Sequence, residues 1–193
     1  MKPSEIKADD LQLWLSAAVE AAQRGGKVLQ EWIGRFSVRE KSRSNLVTEA
    51  DEASQSAIVE SLKRHFPNHG FLGEENLNDR TPGTEAFWII DPLDGTTNYV
   101  HSFPYYCVSI ALSVGGRIVV GVIHDPTRNE TFSAVIGQGA FRNGLRIQTS
   151  GETKMKSAMA IASLPVATDP ENPAVKRFLK ALTQLQTVQR TGS

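Results

Sequence analysis

The sequence predicts an α+β domain over residues 1–150, followed over 151–193 by the opening of an α/β unit that the chain leaves incomplete. Three observations carry that expectation. Apolar residues recur at helical spacing through the N-terminal part. From Phe71 the pattern changes to short apolar runs separated by turn residues. Beyond Asn143-Gly144, a strand-like run is followed by one more helical pattern.

Leu11, Trp14, Leu15, Ala18, Val19, Ala22, Val28, Leu29 and Trp32 fall on one helical face, and Asp9 and Asp10 stand where a helix cap belongs. Gly25 and Gly26 interrupt this helix and mark a close contact or a slight bend. The polar stretch Glu40 to Asn45 reads as a mobile loop. A second amphipathic helix is expected from near Thr48 to Phe66, with Ile58, Val59 and Leu62 on its buried side, ended by Pro67-Asn68-His69-Gly70. Phe87 to Ile90 reads as a buried strand. Tyr106 to Val114 and Arg117 to Ile123 read as a hairpin about Gly115-Gly116. Glu130 to Ile136 joins the same antiparallel sheet, and Gly139 to Arg142 continues it. In the last part, Ala158 to Ser163 is a strand, about Asn172 to Leu185 a helix, and Arg190 to Ser193 a turn.

The 193 residues suffice for one compact domain or two small ones. Lys and Arg together number 21, as do Asp and Glu, so the formal net charge is zero. That balance argues against a direct nucleic-acid partner, whose phosphates call for a basic excess. The single cysteine, Cys107, reads as a small apolar group in a strand rather than a nucleophile. The first ten residues lack the apolar core of a signal peptide, and no apolar run approaches the ~20 residues that span a bilayer. The expected setting is cytoplasmic, with no membrane partner.

Acidic residues cluster in three places: Asp51 at the start of the second helix, Glu74-Glu75 after Phe71-Leu72, and Asp91-Pro92-Leu93-Asp94-Gly95 after the strand 87–90. A carboxylate at the end of an apolar strand is costly to desolvate unless a cation or several donors meet it. Pro92 fixes one backbone angle and Gly95 permits a turn closed to other residues, so the segment can aim two carboxylates and the Leu93 carbonyl at one place. Hard oxygens of that kind suit Mg²⁺. Taken alone, Asp91 to Gly95 is equally well an acidic turn, Thr48-x-x-Asp51 a capping box, and Glu74-Glu75 a solvated surface pair.

Together these pieces resemble a known family. Gly73-Glu74-Glu75, then Trp88-Ile-Ile-Asp91-Pro-Leu-Asp94-Gly-Thr96-Thr97-Asn98-Tyr-Val-His-Ser-Phe-Pro104, is similar to the metal-binding signature of the inositol monophosphatases. Asn45-Leu-Val-Thr48-Glu-Ala-Asp51 upstream, and Val119 to Pro126 and Gly137 to Gly144 downstream, fit the same pattern in order. The resemblance implies a layered αβαβα sandwich of the sugar phosphatase type with its C-terminal layers incomplete. It further implies Mg²⁺ held by Glu74, Asp91, the Leu93 carbonyl and Asp94, with lithium sensitivity and a homodimer. Asp51, Glu74 and Thr96 would orient and deprotonate a water, while Asp94, Gly95 and Thr96 would meet the phosphate. Glu75 and Lys41 would support them, Lys41 from a mobile loop.

The implied reaction is Mg²⁺-dependent hydrolysis of a small phosphorylated polyol or sugar, myo-inositol monophosphate first. Histidinol phosphate, fructose bisphosphate, 3′-phosphoadenosine phosphates, and a non-catalytic regulatory role on the same scaffold are the alternatives. The family's later Trp-Asp-x-Ala-Ala-Gly element, which supplies a further metal aspartate, has no counterpart in these 193 residues. Weak metal binding and little turnover are therefore expected of them alone.

Overall fold

The computed structural model describes residues 6–42, 45–79, 83–162, 164 and 169–191, with backbone alone at 38–42 and 45–47. It divides into two compact units, Met1–Ile147 and Gln148–Ser193.

Two helices, α1 (Ala8–Trp32) and α2 (Glu49–His65), pack together in the first unit. Between them β1 (Val38–Ser42) and β2 (Asn45–Thr48) pair antiparallel. The stretch expected as a mobile loop is thus mostly a hairpin; Arg43 and Ser44 lie outside the described residues. The other strands of this unit are β3 (Gly70–Gly73), β4 (Asn78–Asp79), β5 (Ala86–Asp94), β6 (Cys107–Val114), β7 (Arg117–Asp125), β8 (Glu130–Val135), β9 (Gly139–Arg142) and β10 (Leu145–Ile147). They form one mixed sheet in the order β10-β9-β8-β7-β6-β5-β3-β4, in which only β3 and β5 run parallel. The α+β class is as predicted.

Strand β6 shows why one face of this sheet is the core. Val108, Ile110, Leu112 and Val114 are buried, while Cys107, Ser109, Ala111 and Ser113 alternate with them at intermediate exposure. The buried set joins Trp14, Ala18, Ala21 and Leu29 of α1 and Ile58 and Leu62 of α2 in one cluster. The two glycines of α1 mark close contact on both sides. A Cβ on Gly25 would lie 2.7 Å from Ile58 Cδ1 of α2, and one on Gly26 would lie 2.6 Å from His124 Cδ2 of β7. Near the end of α1, the Tyr99 hydroxyl donates to the Leu29 carbonyl at 2.6 Å.

Two details correct the sequence reading. Asp9 and Asp10 are not caps: α1 begins at Ala8, Lys7 precedes it without a side-chain cap, and both acids sit in the first turn, where they complement the helix dipole. Strand β5 does not end at Ile90 but runs through Asp91-Pro92-Leu93-Asp94, with its register against β6 shifting between Asp91 and Asp94. Proline has no N–H for the ladder, so the strand bulges there rather than turning away.

In the second unit, β11 (Met159–Ile161) and β12 (Thr187–Gln189) pair parallel, with α4 (Pro173–Gln184) between them in sequence; α3 is the short helix Thr96–Val100 of the first unit. The Asn172 side chain caps α4 by accepting from Ala174 N at 2.8 Å, with Pro173 at the first helical position. Strand β12 was not foreseen; three residues are too few to show a period.

Candidate metal centre

The parallel pair β3–β5 sets the geometry. Gly73 stands opposite Ile90, so the next residues, Glu74 just past β3 and Asp91 within β5, lie side by side where the parallel pairing ends. Glu74 N still donates to Ile90 O at 3.3 Å. Burial first, then the charges of Glu74 and Asp94, push the Asp91 carboxyl up to about 7. Asp91 Oδ1 also accepts from Leu93 N at 3.1 Å, which closes the bulge.

Asp94 lies across the bulge, with Oδ2 3.9 Å from the Cys107 thiol, and burial followed by the charges of Asp94 and Asp91 pushes that thiol up to about 12. Cys107 is thus a half-buried neighbour of the acids and is held in its uncharged form.

Asp51 comes to the same place from α2. Its Oδ2 accepts from Thr48 N at 2.9 Å and from Thr48 Oγ1 at 2.6 Å, completing a capping box. Its Oδ1 faces the Thr96 hydroxyl at 3.4 Å, and that hydroxyl also reaches the Leu93 carbonyl at 3.1 Å. Asp51 is 2% exposed, and burial is the largest cause of its raised pKa; the charge of Glu75 adds to it and the Thr48 hydrogen bonds oppose it. Capping and proximity to Thr96 use different oxygens of one carboxylate, so the two sequence readings of Asp51 are compatible. Gly95 precedes α3 at φ 98°, where a Cβ would also meet the Tyr105 carbonyl at 3.0 Å.

The structure therefore gathers Asp51, Glu74, Glu75, Asp91, Leu93, Asp94 and Thr96 around one sheet edge. Lys41 lies on β1, and its side chain is outside the described residues. Sequence reasoning missed Ser54 and Gln55, which reach the same segments from α2. The available signal was their spacing, three and four residues after Asp51 on one helical face. The donor set, carboxylates and a backbone carbonyl with Asp91 repelled by both Glu74 and Asp94, is of the kind that suits a hard divalent cation. Among the described residues, no group of three or more His, Cys, Asp or Glu side chains is placed so that it could by itself hold a metal ion.

A family model described as the inositol monophosphatase family matches residues 10–193, nearly the whole chain. The chain belongs to this family. An inositol monophosphatase from Mesembryanthemum crystallinum is 36% identical over 93% of this family member and 69% of its own length. A Nus factor SuhB from Pseudomonas aeruginosa is 38% identical over 80% of this chain and 59% of its own length. A solved inositol monophosphatase from Anabaena superposes with a TM-score of 0.81 at 36% identity, covering 95% of this chain and 68% of that one. The chain thus spans between about three fifths and two thirds of these relatives.

Proposed function

We propose that this chain provides the metal-binding part of an Mg²⁺-dependent phosphomonoesterase whose substrate is a small phosphorylated polyol, myo-inositol monophosphate first. The observation that carries the reading is the placement of Asp91 between two further carboxylates at a strand end. A half-buried acid pushed up to about 7 by desolvation and then by its neighbours costs stability when ionised, and a divalent cation is the natural compensation. In this reading Glu74, Asp91, Asp94 and the Leu93 carbonyl hold Mg²⁺. When bound, the ion supplies neutralisation of phosphate charge, a more acidic water and a stabilised leaving oxygen.

The chain's own residues then orient and move a proton. The Thr96 hydroxyl sits between the Leu93 carbonyl and Asp51 Oδ1, so its oxygen can accept a proton from water while its own passes to Asp51. Burial raises the pKa of Asp51, which brings this carboxylate closer to neutrality as a base. Asp94 and the backbone at Gly95 and Thr96 meet the phosphate from the start of α3. A homodimer is the proposed assembly. Among the described residues no helix is long and apolar enough to cross a membrane.

The test is a Mg²⁺ titration of the melting temperature, beside phosphate release from inositol monophosphate. Mg²⁺ at ten times its Kd contributes about 1.4 kcal/mol and raises the melting temperature by a few degrees. Release that requires Mg²⁺, even if slow, fits the reading; release indifferent to Mg²⁺ overturns it. A regulatory role is the second reading, favoured by the relative named as a Nus factor. Absence of any shift at millimolar Mg²⁺ would decide for it.

A further inference from the structure

Helix α2 carries two adjacent buried polar side chains, one turn beyond Asp51, that the chemistry above does not use. The Ser54 hydroxyl, with no exposed surface, donates to the Pro92 carbonyl at 3.1 Å. Gln55, 9% exposed, spans the backbone of Glu75 with both ends of its amide: Nε2 donates to Glu75 O at 3.0 Å, and Oε1 accepts from Glu75 N at 3.2 Å. A side-chain amide used this way replaces the neighbouring strand that Glu75 lacks. Gly73 makes the approach possible, because a Cβ there would lie 2.3 Å from Gln55 Oε1.

These bonds fall where the sheet stops holding the acids in register. The β3–β5 ladder ends at Gly73 opposite Ile90, and the β5–β6 ladder breaks between Asp91 and Asp94. Beyond those points the Glu74 loop and the Asp91–Asp94 bulge have no common strand, but both are tied to a single turn of α2. We propose that Ser54 and Gln55 are positioning residues: together they set the spacing between the Glu74 carboxylate on one side and the Asp91 and Asp94 carboxylates on the other, and so govern affinity for the divalent cation. The proposal rests on the metal reading above. Bonds that orient ligands without touching the metal are typically worth 10–100-fold in affinity.

The experiment titrates Mg²⁺ against melting temperature in the full chain, with the metal-free melting temperature recorded for each variant. Gln55→Met keeps the reach and removes both hydrogen bonds; Ser54→Ala removes the other tie and guards against a Gln55 variant that fails to fold. Val135→Ala, in β8, is the control for destabilisation without a tie to either segment. The expected result is about a tenfold rise in half-saturating Mg²⁺ for Gln55→Met, a smaller rise of about threefold for Ser54→Ala, and none for Val135→Ala. A wild-type response with Gln55→Met and Ser54→Ala both within twofold of it overturns the positioning role and leaves the metal reading standing. No response in the wild type overturns both.

Discussion

At the residue scale, the informative group is Asp91. Its folded pKa of about 7 lies well above the ordinary 3.8, chiefly through burial and then through Glu74 and Asp94. The folded protein therefore binds more protons than the unfolded chain between those two values, so stability conferred by the neutral acid is present at low pH and is lost as pH rises through about 7. Asp91→Asn mimics the neutral form. In metal-free protein at pH 8 this variant should melt at least as high as the wild type, by a few degrees more if the acids go unrelieved, and its Mg²⁺ response should vanish. A lower metal-free melting temperature at pH 8, measured by calorimetry, would contradict the account of Asp91 as an acid kept at a cost. The identities of these acids were legible from their motif. The closeness of Glu74 to Asp91 was not, because residues seventeen apart in sequence meet only through the parallel pairing of β3 and β5.

At the scale of elements, α1 is a wedge between α2 and β7. Gly25 and Gly26 were visible in the sequence only as an interruption; the structure assigns one to each neighbour. Gly26 faces a ring that cannot move freely, since His124 is buried and its Nδ1 pairs with Thr131 Oγ1 at 3.0 Å. Gly26→Ala gains about 1 kcal/mol of helix propensity but overpacks against His124 and Pro126, a cost on the order of 1–3 kcal/mol. The expected outcome is a net loss of roughly 1 kcal/mol in a urea titration with an unchanged m-value. A more stable variant would show that α1 can withdraw from the sheet without cost. In the hairpin β1–β2, the stretch Glu40 to Asn45 expected as a loop is polar and carries no strand period, and the strands there are short and held by pairing to each other.

At the scale of the whole molecule, the two units differ in how much they bury. The first holds every buried apolar residue of the core cluster, whereas α4 has no buried residue and Met159 and Ile161 of β11 are 64% and 57% exposed. Amide hydrogen exchange should follow that contrast, with β11, α4 and β12 exchanging faster than β5, β6 and β7 by at least a hundredfold, roughly 3 kcal/mol of opening energy. Equal protection across both units would refute it. Acid sensitivity is also a property of the whole fold. Burial lowers the pKa of both His124 and His69, with Asp125 opposing at His124. As pH falls below 6.5 the unfolded chain takes up those protons first, so the histidines' contribution to stability declines, opposite in sign to that of Asp91. Between pH 6.5 and 5, the melting temperature of His124→Gln should therefore rise relative to that of the wild type, with the His69 contribution still in place.

The sequence by itself determined the helices, the glycine hairpin and the identities of the acids, because hydrophobic periodicity, turn chemistry and a dense motif are local properties of a chain. The tertiary structure alone decided that Glu74 and Asp91 lie side by side where the β3–β5 pairing ends, that the β5 bulge carries Asp94 past Pro92, and that Ser54 and Gln55 hold both segments from behind. Those relations depend on strand order and register, which join residues far apart in the chain through hydrogen bonds that no local pattern encodes.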